Sequence, residues 1–528
     1  MAVTILSCFV IYTVLLFVIM HFTARKADNN SFYAGNRRSP WPVVAYGMIG
    51  ASLSGVTFIS VPGNVYTGQF TYLPLVFGYL LGYVVIAYVL LPLYYRLNLT
   101  SIYTYLGIRY GQSSRKTGSA LFILSRLAGS ALRMYLVVFV LYEYVFKGWG
   151  VPFWVPACVF ILIILLYTFK GGVKTVVWTD TLQTTFLLLA AFITVVCILR
   201  ELHISYPELM HRSAENGLTK VFETDWNHPR FYIKQLLSGA FITIAMTGLD
   251  QDMMQKNLSC RNLSDSRKNI LTSAFLFIVV NILFLSLGAA LIQYAQQTGF
   301  SLPVGQNGMV VNDKIFPSVA FSLSEFTAVI FVLGLVAAGY SSADGTLTAL
   351  TTTFCFDFLR FDSKGENEAK QTLVRKMVHL GFASLYLLII LVFRRFHNDS
   401  LINTLFDIAG YTYGPLLGLF AFGLFTRRKI RKEAWVPVMS VVCPCICYLL
   451  GSYSEQLFNG YHFGFEMLLL NASLMCLSLW INSRPPEKKG GIQPGTSENG
   501  DVILPDVGES PLFVGQDVKQ TNKGEYGQ

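Results

Sequence analysis

The stretch Ala337-Ala338-Gly339-Tyr340-Ser341-Ser342-Ala343-Asp344-Gly345-Thr346-Leu347-Thr348 lies inside a long apolar segment that begins near Phe326. At about 100° per residue along a helix, Ala338, Ser341, Ser342 and Gly345 share one face, with Asp344 about 60° from Ser341. In hydrocarbon such a face cannot point at lipid, because a carboxylate at mid-membrane costs at least roughly 2.5 to 3.5 kcal/mol. It must look into protein or water. Hydroxyls and carbonyls are hard oxygen ligands, and adjacent serines beside small residues leave room for a bare cation. The serines alone fit a cation site or close helix packing equally well. Asp344 favours function.

Outward from this stretch, the chain is a membrane protein by composition. Of its 528 residues 53% are hydrophobic and only 13% charged, with a mean hydropathy of +0.50. A soluble chain would carry about 25% charged residues. No separate soluble enzyme domain is visible, and the histidines outside the loops, His21, His379, His397 and His462, are scattered, so an enzyme is not expected. The net charge of +10 sits in short loops, where it orients a membrane protein and offers no nucleic-acid groove. Most of the nine cysteines lie in apolar runs, which predicts no disulfide framework. Cys443-Pro444-Cys445-Ile446-Cys447 is embedded in an apolar helix and reads as structural.

Apolar spans are predicted at residues 3–24, 42–68, 70–95, 117–146, 152–168, 176–199, 232–255, 270–296, 324–358, 374–393, 402–426, 433–452 and 463–482. That is thirteen transmembrane helices in an all-α fold, a transmembrane domain over 1–484 and a disordered cytoplasmic tail over 485–528. Lysine and arginine crowd the loops that lie inside if the N-terminus is outside, among them Lys256, Arg261, Arg267 and Lys268. This bias predicts an N-terminus outside and a C-terminus in the cytoplasm of a plasma or inner membrane. The two long outer loops, 201–231 and 297–323, are predicted to form short surface helices or a lid.

Two further stretches carry chemistry. Ile49-Gly50-Ala51-Ser52-Leu53-Ser54-Gly55-Val56-Thr57 clusters Gly and Ser at mid-depth, which weakens a helix and predicts a break that frees backbone carbonyls. Lys170-Gly171-Gly172-Val173-Lys174-Thr175-Val176-Val177-Trp178-Thr179-Asp180-Thr181-Leu182-Gln183 turns on its glycines and carries Asp180 and Gln183 into the next apolar segment. Asp180 wants a partner, and Ser341 or Asp344 would serve through a bridging cation; two carboxylates alone would require a proton. Arg126 and Arg133 lie on one face of a buried helix. A guanidinium grips a carboxylate with two parallel bonds, which suggests an acidic solute. The alternatives are pairing with Glu143, Asp180 or Asp344, or reaching to the inner surface.

The Gly171-to-Gln183 stretch resembles the signature of the sodium/solute symporter family. Phe32-Tyr33-Ala34-Gly35-Asn36-Arg37, Ala338 to Ser342, and Gly414-Pro415-Leu416-Leu417-Gly418-Leu419-Phe420 agree with it in order. The resemblance implies a LeuT-type core of five-plus-five inverted repeats, here about 42–200 and 232–426, with one extra N-terminal and two extra C-terminal helices. It also implies alternating access around a mid-membrane site. Carried over, the family's sodium site uses the backbone oxygens of Gly50, Leu53 and Ala338 and the hydroxyls of Ser341 and Ser342. Ser52, Ser54 and Thr57 match substrate-contacting positions of the family's sialic acid transporters. Those proteins can hold a further sodium between the counterpart of Asp180 and additional serines, where this chain has Asp344 and Gly345. Asp180 and Asp344 thus imply either a second cation or a proton. Where the sialic acid transporters present a carboxylate-binding arginine and a glutamine, this chain has Gly129 and Val76.

The expected function is sodium-coupled import of a small polar solute, a sugar, amino sugar or sugar acid. Another organic anion, an amino acid, a channel or a transport-derived sensor are the alternatives. Partners are the solute, the sodium ion and the lipid bilayer, with one chain as the functional unit. One sodium falling through about 100 mV and a tenfold gradient supports about a 500-fold gradient of a neutral solute, two roughly 10⁵-fold.

Overall fold

The computed structural model describes residues 2–25, 27–226, 228, 230–305, 308–361, 368–395, 401–457, 463–464 and 466–486. Nearly all of the predicted tail, together with His397 and His462, lies outside the described residues. The principal helices run in chain order as α1 (Ala2–Ala24), α2 (Trp41–Ser52), α3 (Gly55–Gly68), α4 (Leu73–Arg96), α5 (Gln112–Trp149), α6 (Trp154–Gly171) and α7 (Val173–Glu201). They continue as α8 (Tyr232–Thr243), α9 (Gln251–Leu258), α10 (Leu263–Thr298), α11 (Glu325–Phe358), α12 (Glu368–Phe393), α13 (Leu401–Phe425), α14 (Trp435–Ser452) and α15 (Glu466–Ile481). Among the described residues the only strand pairing joins Lys429–Ile430 to Ser483–Arg484.

Nine helices of the described residues are long and apolar enough to cross a membrane, or ten with α2 and α3 counted as one bent span. The other spans read from sequence fall short for identifiable reasons. α8 stops at a wide turn, Ile244–Gly248, before α9 begins. α15 has 16 residues, about 24 Å of helix. In α13 the side chains of 401–409 lie outside the described residues.

The predicted break in the second span is present. Leu53 (φ −88°, ψ 97°) and Ser54 (φ −77°, ψ 168°) are extended, and the axes of α2 and α3 diverge by 63°. The Ser54 hydroxyl caps α3 by accepting from the Thr57 amide at 3.3 Å. Pro62 and Gly63 lie later, within α3; a Cβ at Gly63 would stand 2.1 Å from the Asn312 carbonyl, so glycine admits the short helix Asn312–Leu323. A second break, which sequence reading runs through as continuous helix, falls at Leu249–Asp250, where the Asp250 carboxylate caps α9 by accepting from the Met253 amide at 3.2 Å. The other long polar loop carries the helix Tyr206–Glu215.

Packing positions these breaks at the centre. α7 runs along α11 in the most extensive helix pair, and α2 packs on α7. α4 and α8 approach closely because Gly78 and Gly239 face each other's backbones: a Cβ at Gly78 would lie 2.1 Å from the Leu236 carbonyl, and one at Gly239 2.1 Å from that of Leu75. α10 lies across α2, α3 and α4, while α5 packs against α11, α12 and α13.

Candidate cation and substrate site

Ser341, Ser342 and Asp344 are all buried in α11, turned into protein. Ser341 Oγ donates to Asp180 Oδ1 at 2.6 Å, so the two expected partners meet directly and need no bridging ion. Asp180 also touches α2, since a Cβ at Gly47 would stand 2.9 Å from its Cβ. One turn on, the Gly50 amide donates to Thr184 Oγ1 at 3.1 Å. Near the break, Val137 of α5 fills the space that side chains at both Gly55 and Gly339 would enter, at 2.7 and 2.9 Å. Val137 thus packs between the residue that follows the α2–α3 break and the turn of α11 that begins at Gly339.

The hydrogen-bond ladder of α2 ends at this point. The Leu53 amide reaches the Ile49 carbonyl at 2.8 Å, while the Thr57 amide is taken by Ser54 Oγ and the Phe58 amide by the Ser54 carbonyl. The carbonyls of Gly50 and Leu53 lie past the last rung. In α11 the Ser342 carbonyl accepts from Thr346 Oγ1 at 2.7 Å and Ser130 Oγ at 3.2 Å. Ser342 Oγ itself is buried with no hydrogen-bond partner among the described residues. A buried hydroxyl without a partner is costly, and a hard cation is a fitting occupant.

Asp344 is held by neutral donors. Its Oδ2 accepts from Tyr167 Oη at 2.8 Å, Gln183 Nε2 at 3.2 Å and Thr179 Oγ1 at 3.4 Å, and its Oδ1 from the Gly345 amide at 2.6 Å. Asp180 faces a charged side chain of the protein itself. Lys256 of α9 is 2% exposed, and its Nζ stands 2.9 Å from Asp180 Oδ2 and 3.3 Å from Asp252 Oδ1. Sequence reading placed Lys256 in an inner loop; it is a core residue. Asp252 in turn bonds Arg126, whose other nitrogen lies 3.6 Å from Asp250 Oδ2. Tyr413 Oη of α13 also donates to Asp250 Oδ2. Arg126 is thus paired, but with Asp250 and Asp252, not with Glu143, Asp180 or Asp344. Asp250 and Asp252 inside a predicted span, with Lys256 at i+4 from Asp252, were the signal that could have found this network.

Ser52, Ser54, Thr57, Arg126 and Arg133, the five residues expected to meet substrate, all line one cavity of about 130 Å³, with Asn64 and three tyrosines completing much of its wall. The two arginines differ in what they have left to offer. Arg126 is committed to its carboxylates, whereas Arg133 has no ion-pair or hydrogen-bond partner among the described residues.

The sequence profile of the sodium:solute symporter family matches residues 32–439. The chain is 26% identical over 469 residues to the sodium/sialic acid symporter SiaT of Proteus mirabilis, spanning 85% of this chain and 89% of that protein. It is 27% identical over 435 residues to the sodium/sialic acid symporter NanT of Aliivibrio fischeri, spanning 80% and 83%. Among solved structures, a Na⁺-coupled sialic acid symporter in a substrate-bound outward-open state, with a novel Na⁺ site, shares the fold. The TM-score is 0.77 over 91% of this chain and 99% of that one, at 21% identity.

Proposed function

The chain belongs to the sodium:solute symporter family, and on that premise we propose that it imports an acidic sugar derivative of the sialic acid class. It is a sodium-coupled symporter and not an enzyme. The observation that carries the substrate reading is the uncommitted Arg133 in a cavity where hydroxyls of Ser52, Ser54, Thr57 and three tyrosines alternate with apolar side chains such as Ile242, Met246 and Phe277. A guanidinium in a half-dry cavity favours a carboxylate, and Ser52, Ser54 and Thr57 suit the hydroxyls of a sugar. Arg133 follows Gly129 by one helical turn on α5, so it presents its charge from the face where the sialic acid transporters carry their arginine.

The sodium site is formed by the carbonyls of Gly50, Leu53 and Ala338 and the hydroxyls of Ser341 and Ser342. Oxygens from α2 and α11 then share one ion, which ties the broken helix to α11 and shapes the neighbouring cavity. The thirteen-span topology has two five-helix repeats over about 42–200 and 232–426, and the breaks at Leu53 and Asp250 open the first helix of each. The membrane domain covers 1–484, works as a single chain, and has its N-terminus outside and its C-terminus inside. In a cysteine-free background, Glu215→Cys should react with an impermeant maleimide in intact cells; reaction only after permeabilisation would reverse this orientation.

The substrate test is uptake into proteoliposomes under an inward sodium gradient, comparing N-acetylneuraminate with neutral N-acetylmannosamine. Sodium-driven uptake of the acid is expected. Arg133→Ala should weaken it about 10- to 100-fold, the loss of a hydrogen bond to a charged group, without a matching loss for the neutral sugar. Equal losses would reject the carboxylate role.

A further inference from the structure

We propose that Lys256 is a resident cation that fills the second cation position at Asp180, so that the protein carries one sodium per cycle. This rests on the sodium site described above and adds the ion count to it. One oxygen of Asp180 accepts from the Ser341 hydroxyl at 2.6 Å, and the other faces the ammonium at 2.9 Å, an ion pair held by charge without hydrogen-bond geometry. Asp344, the other carboxylate that sequence placed there, is satisfied by Tyr167, Gln183, Thr179 and the Gly345 amide.

Position 345 supplies an independent observation. A Cβ at Gly345 would lie 2.6 Å from Lys256 Nζ and 2.3 Å from Asp252 Oδ1. Any side chain there would occupy the channel through which the ammonium reaches Asp180. Glycine at 345 and lysine at 256 therefore form a matched pair. The lysine is also fixed from behind, because Asp252 holds it from the same helix and is itself gripped by Arg126.

The buried ammonium is attracted by both carboxylates, and Arg126 adds the second positive charge at Asp252. A sodium ion bound to the same Asp180 oxygen would face that ammonium at close range and be repelled. Unlike a dissociable ion, a tethered lysine cannot leave on the other side of the membrane, so it draws no energy from a gradient. With a singly charged acid, one sodium per cycle moves no net charge. Uptake then follows the sodium gradient and is unaffected by an imposed membrane potential.

The test counts sodium on the purified full-length protein by equilibrium dialysis with ²²Na⁺ in choline chloride, without substrate. The wild type should bind one ion per chain. Lys256→Ala, which frees Asp180, should bind two. If that variant does not purify folded, Gly345→Ser, whose side chain displaces the ammonium, is counted instead with the same expectation. Two ions on the wild type, or one ion on the variant counted, overturns the proposal. No sodium on the wild type refutes the Ser341–Ser342 site itself and the proposal with it. Loss of bound sodium in Ser342→Ala, with two ions on the wild type, would leave that site standing and reject only the role of Lys256.

Discussion

Arg126 and Arg133 look alike in sequence, yet removing them should have opposite consequences. Arg126 is 4% exposed and bonds Asp252 while lying 3.6 Å from Asp250. Its replacement by Ala strands two carboxylates away from water, and breaking a buried pair of this kind costs about 3 to 5 kcal/mol. Lys256 stays 3.3 Å from Asp252 and shares part of that charge, so the lower end, about 3 kcal/mol, applies. That is roughly a 150-fold change in the unfolding equilibrium. Arg133→Ala removes a cation with no partner and should shift stability by less than about 1 kcal/mol in either direction. The assay is reversible unfolding in mixed micelles followed by tryptophan fluorescence, with Arg126→Met/Asp252→Asn as a third variant. The double change removes both members of the pair and should recover at least half of the loss. If Arg126→Ala is as stable as wild type, or if Arg133→Ala is the more damaging, the division into a structural and a substrate-facing arginine is wrong.

Gly239→Ala forces a methyl group to within 2.1 Å of the Leu75 carbonyl; overpacking at the α4–α8 contact should cost about 1 to 3 kcal/mol, read as a lower unfolding midpoint. Asp357→Ala removes the acceptor shared by Ser101 at 2.6 Å, Ser119 at 2.7 Å and Arg115 at 2.7 Å. Taking the carboxylate away from the buried Arg115, which keeps its bond to the Phe356 carbonyl at 3.0 Å, should cost about 3 kcal/mol, the lower end for a broken buried pair, while Asp357→Asn, which keeps two acceptor positions on its carbonyl, should cost less; equal losses would show the charge to be irrelevant. Gly50→Ala places a methyl group 2.3 Å from Thr184 Oγ1 and breaks the bond that seats α2 on α7, so sodium affinity should fall together with stability. An unchanged sodium affinity in a destabilised Gly50→Ala protein would detach the α2 break from the ion.

The features legible in sequence were those whose cause is local. Gly50, Ser52, Ser54 and Gly55 weaken a helix wherever it packs, and the break appears among them. A polar face on α11 cannot face lipid, and Ser341 and Ser342 are buried as that requires. Sequence marks Arg126 as a charge that must find a use, but its partners Asp250 and Asp252 lie far along the chain, at the second helix break. Lys256 reads as a loop residue in sequence for a related reason. A lysine at the end of an apolar run reads as a loop anchor unless the fold supplies a carboxylate, and Asp180 comes from another helix. Asp252, at i−4 from Lys256, was the local clue that the two belonged together.

The proposed sodium site requires that the unpaired Ser342 hydroxyl and the carbonyls freed at the α2–α3 break hold the coupling ion. Direct ²²Na⁺ binding to purified wild type and Ser342→Ala, at constant ionic strength with choline, measures this without reference to any solute. Loss of one hydroxyl ligand to a charged ion should weaken sodium about 10- to 100-fold, with the unfolding midpoint measured without sodium left in place. Equal affinity for sodium in the two proteins would contradict the claim.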